Sequence, residues 1–240
     1  VTTVPRWRRA VAEGIGTGSL VTVVIGSGIA AAKLSPDDVG LQLLENAFAT
    51  ALGLAVLILM IGPVSGAHFN PVVSAVDWWL GRGLTAQDLA AYVPAQIVGA
   101  VLGAVLANLM YGEAAVSWAT TERSAGHLWL GEVVATAGLI VLIFALAASG
   151  RAVVAPAAVG AYIGSAYWFT SSTSFANPAV TIGRAFSDTF AGIAPASVPG
   201  FVIAQVVGAI AGVGLLALLY PRAGDDVVTT DSPARTGAST

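Results

Sequence analysis

Six long apolar runs divide the chain, separated by short stretches that are polar or rich in glycine and proline. They lie at about Ala10–Ala32, Gln42–Ile61, Asp88–Tyr111, Leu128–Ser149, Val153–Phe169 and Val198–Leu219. Each is long enough, as a helix, to cross a hydrocarbon core of roughly 30 Å, so the pattern predicts six membrane spans, the fifth being the shortest. Two shorter runs follow the second and fifth spans. Each opens on an Asn-Pro pair, Asn70-Pro71-Val72 and Asn177-Pro178-Ala179. Asn favours the cap of a helix and Pro its first turn. Asn70 to Leu80 and Asn177 to Ser187 each supply about ten residues, or about 15 Å of helix, half of the core. Each segment is expected to enter as an extended strand, turn at its Asn-Pro near the midplane and leave by the same face as a half-helix. Gly62-Pro63-Val64-Ser65-Gly66 and Thr170-Ser171-Ser172-Thr173-Ser174 suit the inbound strands. Non-helical backbone at membrane depth must line a water-filled path or be buried in protein. The carbonyls of Gly66, Ala67 and His68, and of Thr173, Ser174 and Phe175, are therefore candidate acceptors along a pore.

The two halves echo each other. Glu13-x-x-x-Thr17 in the first span matches Glu132-x-x-x-Thr136 in the fourth. Gln96-Ile97-Val98-Gly99-Ala100 in the third matches Gln205-Val206-Val207-Gly208-Ala209 in the sixth. With the Asn-Pro pairs, three markers recur in order, at offsets of 119, 107 and 109 residues. Three spans per half is an odd number, so the second half is inverted in the membrane, with the functional site expected between the halves at the midplane.

Composition agrees with a membrane protein. The chain is 56% hydrophobic and 10% charged, with a mean hydropathy of +0.83, where a soluble domain carries about 25% charge. There is no cysteine, which excludes disulfides and thiolate chemistry, and a net charge of −3 argues against a nucleic-acid partner. No motif suggests an enzyme, a cofactor or a metal; His127, the only histidine besides His68, falls in a loop. The first span is too long for a signal-peptide core and lacks a cleavage signal. The chain opens at Val1, so at least an initiator Met is expected before it. With the N-terminus inside, Arg6, Arg8, Arg9, Arg82, Arg151, Arg222 and Arg235 fall on the cytoplasmic side and Lys33, Arg123 and Arg184 outside. That asymmetry places both termini in the cytoplasm of a multi-pass protein in the cell membrane. The expected divisions are a basic cytoplasmic N-terminus at 1–9, a membrane domain at 10–220 with repeats at about 10–111 and 128–220, and a disordered tail or linker at 221–240.

Ser65-Gly66-Ala67-His68-Phe69-Asn70-Pro71-Val72, Asn177-Pro178-Ala179 and the paired Glu13 and Glu132 together resemble the major intrinsic protein family, the aquaporins and aquaglyceroporins. The likeness spans about residues 8 to 220 and carries the family's two NPA-type motifs, the first with Val72 in place of Ala. It implies an all-α fold of six transmembrane helices and two re-entrant half-helices, one pore per subunit, and a homotetramer in lipid. By the same resemblance, Glu13 and Glu132 brace backbone N–H groups of the re-entrant loops, and His68 sits at the cytoplasmic mouth. A carboxylate at the centre of a span costs about 2.5–3.5 kcal/mol to insert and needs partners; the rival reading is a proton relay. Asn70 and Asn177 would cap the half-helices with their amide oxygens and offer N–H donors to a solute. The positive ends of both half-helices would meet at the midplane and oppose cations. Gln96 and Gln205 read as helix-packing contacts.

Counted from the Asn residues without gaps, the family's four filter positions fall on Thr50, Ser165, Ser174 and Val180. Val180 stands where the family normally has Arg, and Thr50 and Ser165 are small. Such a filter is expected to be wide, without a fixed charge, and able to hydrogen-bond hydroxyls. This resembles bacterial aquaglyceroporins linked to arsenic resistance, which implies a passive channel for As(OH)3 and glycerol with some water. The alternatives are a water and glycerol facilitator with no metalloid role, and a secondary transporter coupled through Glu13 or Glu132. Arg184, where the family usually has Pro, is either a snorkelling arginine paired with lipid or Asp188, or a charge lining the external vestibule.

Overall fold

The computed structural model describes residues 4–220, and all regular secondary structure among them is helical. The helices are α1 (Arg6–Leu34), α2 (Val39–Ser65), α3 (Pro71–Trp79), α4 (Ala86–Met110), α5 (Gly126–Ala148), α6 (Ala155–Phe169), α7 (Pro178–Arg184) and α8 (Val198–Leu219). Single 3-10 turns, Ala152–Val154 and Pro195–Ser197, lead into α6 and α8. Six segments are long and apolar enough to cross a membrane. The remaining two, α3 and α7, are the short helices that follow the Asn-Pro pairs.

Among the boundaries that differ from those the sequence suggests, three bear on the site. The first helix begins at Arg6, so the basic cluster forms its first turns; Arg6 Nε and Arg9 Nη2 reach Asp88 Oδ1 on α4 at 3.0 and 2.5 Å. Helix α2 runs through Pro63 to Ser65, because a proline this close to a helix end disturbs only the last turn. Gly66, at φ 93°, then closes it with an N–H donated to the Gly62 carbonyl, leaving residues 66–70 as the inbound strand. Helix α7 stops at Arg184, short of Ser187. Arg222, Arg235 and the expected tail lie outside the described residues.

Helix α1 packs along α4, and α5 along α8, with α2 against both α1 and α6. Glycines permit the close approach of backbones in each pair. A Cβ at Gly99 would sit 2.0 Å from the Gly14 carbonyl oxygen, and one at Gly103 2.1 Å from that of Gly18. Gly208 and Gly212 of α8 meet the carbonyls of Val133 and Ala137 in the same way, at 2.6 and 2.8 Å. The repeat thus pairs α1–α4 with α5–α8, helix for helix.

All six tryptophans are exposed. Trp7, Trp78 and Trp79 lie toward the face on which the described chain starts and ends, and Trp118, Trp129 and Trp168 toward the other. Two such girdles, separated by exposed Leu, Val and Ile side chains, mark the membrane interfaces.

Candidate functional site

The two Asn-Pro segments meet inside the bundle. Asn70 Oδ1 accepts from Val72 N at 3.1 Å, and Asn177 Oδ1 from Ala179 N and Val180 N at 3.0 and 3.2 Å. Each amide therefore caps its own short helix. The amide nitrogens cross over: Asn70 Nδ2 donates to the Ala176 carbonyl at 2.8 Å, and Asn177 Nδ2 to that of Phe69 at 2.7 Å. One N–H bond per amide is spent in this way, and one remains.

The strands leading to these caps alternate into the left-handed region, with φ near +50° to +62° at Ala67, Phe69, Thr173, Ser174 and Ala176. None of these is glycine, so each conformation has to be held by its surroundings. Two carboxylates hold them. Glu13 Oε1 accepts from Ser65 Oγ at 2.6 Å and His68 N at 3.0 Å, and its Oε2 from Phe69 N at 2.6 Å and Gln96 Nε2 at 2.8 Å. Glu132 accepts from Phe175 N and Ala176 N, both at 2.8 Å, and from Gln205 Nε2 at 2.6 Å. Both carboxylates are fully buried, and every neighbouring donor requires an acceptor there. Gln96 and Gln205 also reach Ser74 Oγ on α3 and Thr181 Oγ1 on α7, at 3.0 and 2.8 Å. These glutamines are thus more than packing contacts: each ties a carboxylate to a half-helix.

A cavity of about 130 Å³ runs past both Asn side chains. Residues 66–70 and 174–177 form one wall, where the carbonyls of Gly66, Ala67, His68, Ser174 and Phe175 accept no hydrogen bond among the described residues. The Thr173 carbonyl is equally free, although Thr173 is not part of the lining. Much of the remaining lining is aliphatic, with Leu20, Val24, Leu54, Leu139, Val159 and Ile163. Backbone carbonyls along such a path can stand in for the hydration of a polar molecule.

The sequence pattern described as "Major intrinsic protein" matches residues 1–175 and 170–239. The chain belongs to the major intrinsic protein family. It is 50% identical over 215 residues to "Aquaglyceroporin AqpS" of Rhizobium meliloti (strain 1021), covering 89% of this chain and 91% of the relative. It is 30% identical to the "Glycerol uptake facilitator protein" of Pseudomonas aeruginosa, covering 89% of each. The fold matches that of the aquaglyceroporin from Plasmodium falciparum with a TM-score of 0.68 at 18% identity, over 91% of this chain and 97% of that one. Membership in this family makes the protein a passive channel for small solutes.

Thr50, Ser174 and Val180 line the cavity, whereas Ser165 does not. Ser165 is exposed on the outside of α6, its hydroxyl donating to the Tyr162 carbonyl at 2.8 Å. Helix α6 instead turns Val159, Ile163 and Tyr167 inward, a spacing of four residues that marks one helical face. Ser165 is about 200° away from Tyr167 around the helix. The gapless count fails because it carries a fixed spacing across the non-helical run from Thr170 to Asn177. Tyr167 Oη lies 3.2 Å from Thr50 Oγ1, so a phenol lines the cavity where a small serine was expected. The apolar-to-aromatic stripe at 159, 163 and 167 was the available signal.

His68 lines the other end of the cavity. Its Nδ1 is 3.1 Å from Ser74 Oγ, its ring meets Tyr92 edge-on, and its Nε2 lies 4.0 Å from Asp77 Oδ2. Arg184 is buried, not snorkelling, and Asp188 faces Thr120 instead. Among the described residues no cluster of side chains could hold a metal ion.

Proposed function

We propose that this protein passes small neutral hydroxylated solutes, arsenite as As(OH)3 and glycerol above all, with some water alongside. The observation that carries this reading is the chemistry of the cavity wall. Its lining combines free carbonyls, the two capping amides and the hydroxyls of Thr50 and Tyr167 with aliphatic side chains, and includes no carboxylate among the described residues. Arsenite and glycerol are both uncharged and carry three hydroxyls, so the same acceptors serve both. The names of the relatives, an aquaglyceroporin and a glycerol uptake facilitator, support the same class of solute.

The proposed assembly is a homotetramer in the cell membrane with both termini in the cytoplasm and His68 at the cytoplasmic mouth. Asn70, Pro71 and Val72, with Asn177, Pro178 and Ala179, form the midplane of the pore. Thr50, Tyr167, Ser174 and Val180 form its filter, and Glu13 and Glu132 brace the loops. Coupled transport is disfavoured because both glutamates already serve the re-entrant loops.

The test is a proteoliposome series with water, glycerol, urea and arsenite. Glycerol and arsenite uptake should exceed that of protein-free liposomes, rise linearly with concentration and ignore proton and sodium gradients. Permeability to water alone, or concentrative uptake driven by a gradient, would overturn the proposal. Glycerol uptake with no arsenite uptake would leave a polyol facilitator.

A further inference from the structure

Among the described residues, Arg184 is the only Asp, Glu, Lys or Arg side chain on the wall of the cavity. It is 2% exposed, yet no carboxylate among the described residues pairs with it. An isolated buried cation is costly, and a protein keeps one only where its surroundings or its task compensate. Here the surroundings fix the group in place without neutralising it. Arg184 Nε donates to the Ala191 carbonyl, and Cζ lies 3.4 Å from the centroid of the Phe175 ring. Arg123 holds the same ring from 5.1 Å, and its own Nε donates to the next carbonyl, that of Gly192, at 3.1 Å. The Phe175 backbone is anchored in turn on Glu132. The terminal N–H groups of Arg184 make no hydrogen bond among the described residues, and the side chain lines the cavity.

We propose that Arg184 is the charge-selective residue of the pore, rejecting cations one helical turn beyond Val180, with Phe175 and Arg123 as positioning residues. The inference rests on the channel reading above. Val180 and Arg184 share one face of α7, four residues and about 6 Å apart along the axis. The neutral constriction of Thr50, Tyr167, Ser174 and Val180 therefore keeps its room for hydroxylated solutes. The fixed charge stands outside it, where it raises the barrier for cations while donating to an entering hydroxyl.

The chain has no cysteine, which makes Arg184→Cys a clean test in proteoliposomes of the full chain. Cation leak, read with a potential-sensitive dye, should rise on the order of tenfold over the wild type. Glycerol swelling above that of protein-free liposomes shows that the variant pore is folded. Reaction with aminoethyl methanethiosulfonate forms a disulfide, expels methanesulfinate and reinstalls an ammonium; it should suppress the leak. Methyl methanethiosulfonate, which adds no charge, should not. A glycerol-permeable Arg184→Cys pore with wild-type leak overturns the proposal, as does equal suppression by both reagents. Should that variant fail to fold, Phe175→Leu keeps the arginine and removes its ring; raised cation leak supports the proposal and unchanged leak overturns it. Absence of glycerol uptake in the wild type would defeat the channel reading instead.

Discussion

The Tyr167 hydroxyl is the smallest group whose removal interrogates the filter. Tyr167→Phe keeps the ring and deletes the partner of Thr50 Oγ1. A hydrogen bond of this kind contributes about 1 kcal/mol, so the ratio of glycerol to water permeability should fall a few-fold in stopped-flow swelling. Ser165→Ala, on the outer side of the same helix, should leave that ratio unchanged; an effect there as large as that of Tyr167→Phe would return Ser165 to the filter. Val180→Arg places a second guanidinium in the lumen one turn inside Arg184. It should lower glycerol and arsenite uptake more than water permeation, because it narrows the opening and occupies acceptors. Unchanged uptake of both solutes would place the constriction elsewhere.

Within the elements, the two re-entrant loops depend on carboxylates that belong to other helices. Glu132→Ala leaves the N–H groups of Phe175 and Ala176 and the amide of Gln205 without their shared acceptor. Each unsatisfied buried donor costs about 1–3 kcal/mol, so the melting temperature in detergent should drop clearly, and Glu13→Ala should behave alike. A well-folded variant that loses proton-driven uptake would point to a relay instead. The α1–α4 contact is equally exacting. At Gly99 a Cβ would meet a backbone oxygen at 2.0 Å, and backbone cannot swing aside as a flexible side chain can. Gly99→Ala should therefore cost about 1–3 kcal/mol or more through forced separation of the helices. Gly62→Ala, where a Cβ would meet nothing within 4 Å, is the matched control, and equal melting temperatures would refute the close packing.

At the scale of the molecule, the two tryptophan girdles mark the position of the chain in the bilayer, and the proposed direction rests on the basic residues. Single cysteines in this cysteine-free protein report direction. Glu113→Cys should react with an impermeant maleimide in intact cells, and Arg82→Cys only after lysis. The reverse pattern would invert the proposed topology. Both positions are exposed, so lack of access through burial is not an issue.

The apolar runs, the paired Asn-Pro helix starts and the repeated Glu and Gln were legible in the chain because each follows from local physics. Span length against bilayer thickness, cap chemistry and proline at the first turn act within a few residues of one another. Recurrence of Glu13, Asn70 and Gln96 at Glu132, Asn177 and Gln205 exposed the inverted repeat without coordinates. What needed the tertiary structure was every property set by how one element meets another. Ser165 and Tyr167 differ by two residues, and only the rotation of α6 against α2 decides which of them faces the pore. The lengths of the inbound strands depended on where Gly66 ended α2 and Thr170 followed α6, since a helix can absorb a proline in its final turn. The sequence leaves Arg184 open between a snorkelling arginine and a charge lining the external vestibule. Its burial comes from the Ala191 carbonyl and the Phe175 ring, which the fold brings to it from the following loop and the preceding strand.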